Sequence, residues 1–209
     1  MQDSTNIRND RGLSDFDARH RIVLNWIYEL PFKGNRFVEG WQVSAITMWQ
    51  TGNPLNIITN DSTLTGAGSL RPDLLTPVVI LGGPAKWFSN IVCDPGSVGF
   101  VSCPSGATFS IPRTGTTAAT YHFGNLGRNA VTGPRFSNSD FSVMKTTRIT
   151  EAVRIQFRAE LFDIFNHPNF GNPSLVATSS TFGVITSTRF PGGDFGSSRQ
   201  AQFSLKLLF

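Results

Sequence analysis

A chain of 209 residues is long enough for one large domain or two small ones. Only 15% of its residues are charged, with 18 Phe and 20 Gly; ordinary soluble domains carry roughly 25% charge, and this mixture suits strands and turns better than helices. The net charge of +4 comes from scattered Arg and Lys without a basic run, which excludes a nucleic-acid surface.

No window approaches the roughly 20 apolar residues of a membrane helix. The first stretch, rich in Asp, Asn and Arg, does not read as a signal peptide. A helical membrane protein is therefore excluded. A β-barrel escapes that test, because only alternate residues of its strands face lipid, and the mean hydropathy of -0.09 permits one.

Period-two alternation is the informative signal. Within 20–30, Ile22, Leu24, Trp26, Tyr28 and Leu30 share one face, and Arg21, Asn25 and Glu29 lie on the other with Val23 and Ile27. Pro31, Lys33, Gly34 and Asn35 then supply a short turn. Within 37–50, Trp41, Val43, Ala45, Thr47 and Trp49 alternate with Gln42, Ser44 and Gln50, so the two segments read as a hairpin. Residues 51–133 follow as a very long loop with hairpin structure of its own around Val78 to Leu81. Inside it Cys93 and Cys103 lie close together in a Gly/Pro-rich stretch, where they either close a short loop in an oxidising compartment or stay free thiols.

A weaker strand is expected over 138–147, with Phe141 and Val143 outward and Asp140, Ser142 and Met144 inward. Within 153–166, Ile155, Phe157, Ala159 and Leu161 alternate with Arg154, Gln156, Arg158 and Glu160. The same stretch has a helical reading, since Val153, Phe157, Leu161, Ile164 and Phe165 fall at helical spacing. The polar turn at 148–151 and the chance to pair with the preceding segment favour a strand. After a second long loop, 167–198, the strand 199–209 sets Ala201, Phe203, Leu205, Leu207 and Phe209 against Gln200, Gln202, Ser204 and Lys206.

A strand crossing a bilayer needs about 9 to 11 tilted residues, and the apolar faces of the first, second and last segments have that length. Trp41 and Trp49 end one such face, about 26 Å apart at ~3.3 Å per residue, as two aromatic girdles would be. With Trp26, Tyr28, Phe157, Phe203 and Leu205 they make the expected lipid-facing and girdle set; a sandwich core is the competing home for the same residues. An Arg on a lipid face costs roughly 2 to 4 kcal/mol at mid-membrane, so Arg154, Arg158, Glu160 and Lys206 are expected to face the lumen. There they line a pathway, contact another part of the protein, or neutralise one another across strands.

The connections run short, very long, short, long, the alternation of outer-membrane barrels. With the short turns in the periplasm, Thr51 to Gly133 is extracellular and Phe209 ends in the periplasm. Five strands cannot close a barrel, for which about eight are the minimum. The expected fold is thus all-β: an antiparallel transmembrane β-barrel segment, about five strands of a larger barrel, with long extracellular loops. Met1 accordingly reads as a truncated start.

No catalytic constellation emerges, and neither enzyme activity, a metal nor a cofactor is expected. His20, His122 and His167 lie far apart without partners at metal-ligand spacing. Glu160 and Asp163 are too close in sequence to work across a cleft, and there is no phosphate loop or nucleophile elbow. Asn166, Pro168, Asn169 and Gly171 form a turn-rich strand exit that shapes a loop or touches a ligand.

Several longer motifs add to this reading. They are Asp15-Phe16-Asp17-Ala18-Arg19-His20-Arg21, Tyr28-Glu29-Leu30-Pro31-Phe32, Gly40-Trp41-Gln42-Val43-Ser44 and Thr51-Gly52-Asn53-Pro54. Further on come Phe123-Gly124-Asn125-Leu126-Gly127-Arg128-Asn129, Gly133-Pro134, the run from Phe157 to Gly171, which is the most specific, and the close from Arg199 to Phe209. On these residues the chain resembles, almost end to end, the C-terminal part of TonB-dependent outer-membrane receptors of the Oar-like group. The resemblance implies residence in the cell outer membrane, in a barrel of about 22 strands plugged by an N-terminal domain and taking up a scarce ligand with energy from TonB. It implies as partners the outer-membrane lipid, the barrel-assembly machinery reading the terminal Phe209, and the plug domain and TonB through an N-terminal part that this chain lacks. The transported ligand is unidentified. A passive porin-like barrel and a secreted β-sandwich used for adhesion are the alternatives.

Overall fold

The computed structural model describes residues 2–3, 6–60, 69–97, 99–113, 122–189 and 197–209. Strands and turns build it; among the described residues the only helical element is one 3-10 turn, Ile7–Asp10. In chain order the strands are β1 (Arg21–Glu29), β2 (Trp41–Gln50), β3 (Pro54–Leu55), β4 (Thr59–Asn60), β5 (Ser69–Leu70), β6 (Asp73–Leu74) and β7 (Ile80–Gly83). They continue with β8 (Lys86–Phe88), β9 (Val92–Cys93), β10 (Phe109–Ser110), β11 (Val131–Thr132), β12 (Phe136–Arg148), β13 (Arg154–Phe162) and β14 (Gln200–Leu208).

Two compact units form. The sheet unit comprises Arg19–Thr51, Arg135–Phe170 and Ser187–Phe209, and the loop unit Met1–Ala18, Gly52–Pro134 and Gly171–Thr186.

In the sheet unit the five long strands make one antiparallel sheet in the order β1-β2-β12-β13-β14. The second strand begins at Trp41, later than the expected 37, because residues 35–40 are spent on the turn: Val38 and Glu39 both donate backbone hydrogen bonds to the Asn35 carbonyl. Gly40 closes the turn at φ 75°, and a Cβ there would meet the Thr146 carbonyl oxygen at 2.4 Å. Only glycine combines that dihedral with that approach.

The segment over 138–147, expected to be the weak one, is the longest strand, running Phe136–Arg148 and paired on both sides. The helical alternative for 153–166 fails for the same kind of reason: β13 pairs with β12 over Arg154–Leu161 and with β14 along its whole length, which periodicity within one segment cannot reveal. It stops at Phe162, short of 166, where Asp163 turns the chain at φ 47°.

The loop unit adds to the long loops 51–133 and 167–198 a shared core that their separate readings did not contain. Residues of both share one apolar core of Leu55, Ile57, Phe88, Phe109, Leu126, Val131, Ala177 and Phe182. Phe88, Phe109 and Phe182 meet edge-to-face at centroid distances of 5.2–6.2 Å, an arrangement favoured by the ring quadrupole. Short ladders surround it: β3 with β11, β4 with β5, and the hairpin β7–β8 where local structure was expected. β10 pairs antiparallel with β6 and parallel with β9, the one parallel ladder between the named strands.

Candidate functional site

The sheet unit carries the arrangement with functional content. Residues directly opposite in an antiparallel pair project from the same face, so the register sorts every strand position onto one of two faces. Tyr28, Val43, Val143, Ala159 and Phe203 form one unbroken row across all five strands, and Trp26, Ala45, Phe141, Leu161 and Ala201 form the next. On the reverse the corresponding rows are Ile27, Ser44, Ser142, Glu160 and Gln202, then Glu29, Gln42, Met144, Arg158 and Ser204. The apolar faces that alternation assigns to each strand separately thus fall on one side of one sheet.

Aromatic contacts tie that side together. Trp26 meets Phe141 at 6.5 Å, and Phe157 stacks on Phe203 at 6.3 Å with 16° between ring planes. Trp41 and Trp49 stand at opposite ends of β2 on this face, Trp49 beside Ile22 and Ser137. The Trp41 indole N–H donates to the Phe37 carbonyl at 3.0 Å.

Yet the apolar side is bare. No residue of β1, β2, β13 or β14 is buried, and Leu24, Phe203 and Leu205 are 61%, 69% and 73% exposed. Full burial of such a side chain contributes about 1.5–3 kcal/mol, which this sheet does not collect from protein. A sandwich would cover the face with a second sheet, and none pairs with or packs on it among the described strands.

The opposite side holds the four charged residues expected together. Arg158 and Glu160 form an ion pair at 3.5 Å along β13, not across strands. Arg154 lies opposite Arg148 on one side and Leu208 on the other, while Lys206 faces Gln156. Ser44 and Ser142 share a hydrogen bond of 2.8 Å on the same side.

Sequence reasoning missed Lys145, which by parity with Val143 belongs to the apolar face. Its ammonium lies 5.5 Å from the centroid of the Trp41 ring and donates to the carbonyl oxygens of Arg36 and Glu39 in the β1–β2 turn. The apolar stem stays on the face while the charged head reaches polar groups at the end of the sheet. Strict alternation along β12 was the signal that could have found it.

The β1–β2 and β12–β13 connections lie at one end of this sheet, where Glu29 meets Gln42 and Arg148 meets Arg154. The long segments leave from the other. Two edges remain, on β1 and β14, without a strand partner among the described residues.

A bare apolar face, a polar reverse and open edges describe a piece of barrel wall, and the family described as an outer membrane beta barrel domain matches residues 1–202. The chain belongs to that family. No curated protein and no solved structure matches it. The outer-membrane barrel domain resides in the cell outer membrane, and its five long strands are barrel strands that do not close a barrel by themselves.

The remaining sequence-derived sites lie elsewhere. In the loop unit of the barrel domain Cys93 and Cys103 are joined by a disulfide with Cα atoms 5.0 Å apart; beside it Asp94 and Arg113 form an ion pair at 2.6 Å. His122 contacts Asp73 at 2.6 Å. Among the described residues no group of three or more His, Cys, Asp or Glu could hold a metal ion. Phe209 stands 97% exposed at the end of the last strand.

Proposed function

We propose that this barrel domain is part of the wall of a TonB-dependent receptor of the Oar-like group, which takes up a scarce ligand across the outer membrane. The observation that carries the membrane part is the common apolar face of the five strands, on which the residues of β1 and β14 are exposed and those of β2 half-buried. The motifs from Asp15 to Arg21, Phe157 to Gly171 and Arg199 to Phe209 support the receptor part.

In this reading Trp26, Tyr28, Phe157, Phe203 and Leu205 touch lipid and Trp41 and Trp49 stand in the two aromatic girdles. Arg154, Arg158, Glu160 and Lys206 face the lumen. The barrel-assembly machinery engages Phe209, and a plug and TonB act through an N-terminal part of the receptor. The short turns lie in the periplasm and Thr51 to Gly133 outside the cell.

Two measurements test it. Brominated lipid quenches the fluorescence of Trp26 and Trp49 in the assembled protein if their face meets hydrocarbon; absence of quenching removes the membrane reading. Growth on, or uptake of, the receptor's ligand stops in a strain lacking TonB. Undiminished uptake there supports a passive porin-like barrel instead.

A further inference from the structure

At the end of the sheet from which the long segments leave, three side chains of the sheet unit converge. Asn138 and Asp140 share the polar face of β12, and Asp163 follows β13 directly. The Asp140 Oδ1 accepts a hydrogen bond from the Asn138 amide nitrogen at 2.8 Å and another from the Asp163 backbone N–H at 3.0 Å. Asp163 is 1% exposed, and its Oδ1 accepts from the His167 backbone N–H at 3.2 Å.

Two oxygens of this group are left over. Asp163 Oδ2 and Asn138 Oδ1 are both buried, and neither has a hydrogen-bond partner among the described residues. Nor does any ion pair among the described residues involve Asp140 or Asp163. A buried carboxylate with one oxygen lacking a donor and no balancing charge is disfavoured, and such an orphan oxygen in a folded protein calls for an explanation, a bound water or ion among them. Water would satisfy the lone pairs but leave the charge; a cation answers both. Two carboxylates and a carboxamide oxygen are hard donors, which suit Ca²⁺ and not the softer transition metals.

We infer that Asp163 Oδ2, Asn138 Oδ1 and the Asp140 carboxylate form a Ca²⁺ site, with water completing the coordination shell. The ion fastens the turn after β13 to β12. The site is independent of what the barrel carries.

The full-length protein, purified in detergent and stripped with EDTA, is titrated with CaCl2 by calorimetry, with MgCl2 as the comparison. The expected result is saturable Ca²⁺ binding with Kd about 10⁻⁴ to 10⁻³ M, the range of extracellular sites, weakened at least about tenfold in both Asp163→Asn and Asp140→Asn and not reproduced by Mg²⁺. No saturable heat in the wild-type protein overturns the inference. An affinity unchanged in both variants overturns it too. Heat-modifiable migration on gels checks that each variant is assembled, and the wild-type titration stands even if one is not.

Discussion

Among single residues, Arg71 of the loop unit is a tightly held charge. It is 5% exposed, and its guanidinium donates to the carbonyl oxygens of Leu126 and Asn9 at 2.8 Å and to Asp10 Oδ1 at 2.5 Å. Burial alone would push the Asp10 carboxyl up. The Arg71 hydrogen bond, the backbone N–H of Gln2 and the guanidinium charge outweigh it and hold the carboxyl below its ordinary value. The unfolded chain therefore binds this proton more readily than the folded one, so the pair's contribution is complete above about pH 3.9 and is lost as pH falls through the lower folded value. Asp10→Asn should destabilise the loop unit by about 3 kcal/mol at neutral pH and flatten that acid dependence, read by hydrogen exchange of residues 69–75. Phe109→Ala, which opens the aromatic trio, should cost about 3–5 kcal/mol by the same measurement. For Cys93 and Cys103, intact mass before and after reduction should differ by two hydrogen atoms, and free thiols in the unreduced protein would contradict the disulfide.

Strands and turns of the sheet unit were largely legible, since alternation names each apolar face without knowledge of its neighbours. The strand with the poorest signal, β12, shows why that is not always enough. On its apolar face Ser139 sits against Thr47 with hydroxyl oxygens 3.1 Å apart, and Lys145 sends its charge to the turn. Both are polar by composition and compatible with the face only because a partner from another segment satisfies them. Register then makes a sharp prediction at adjacent positions. Val143→Arg places a charge in the middle of the apolar row and should lower barrel stability by about 2–4 kcal/mol, whereas Ser142→Arg, on the reverse, should change it little. Urea dependence of heat-modifiable migration in lipid vesicles compares the two, and equal losses would show that the faces do not differ in environment.

On the scale of the whole molecule, deletion of Phe209 from the full-length protein should reduce the assembled fraction, measured again by heat-modifiable migration. Its exposure at the end of β14 leaves it free to be recognised, so unchanged assembly would speak against a role as the terminal signal. The sequence by itself determined the all-β class, the one-sided faces of the long strands, the two short turns and the resemblance to outer-membrane barrels. These follow from local rules: a period of two, turn residues and short motifs are properties of neighbours along the chain. Only the tertiary structure decided that five separate faces merge into one, that β13 is strand and not helix, and that Cys93 and Cys103 are bonded. It also decided that residues from two distant segments share the core around Phe88, Phe109 and Phe182, and that Asn138 and Asp163 bury oxygens without partners among the described residues. Each of these depends on pairing between residues far apart in sequence, where the free energy is set by which groups meet and which are left unsatisfied.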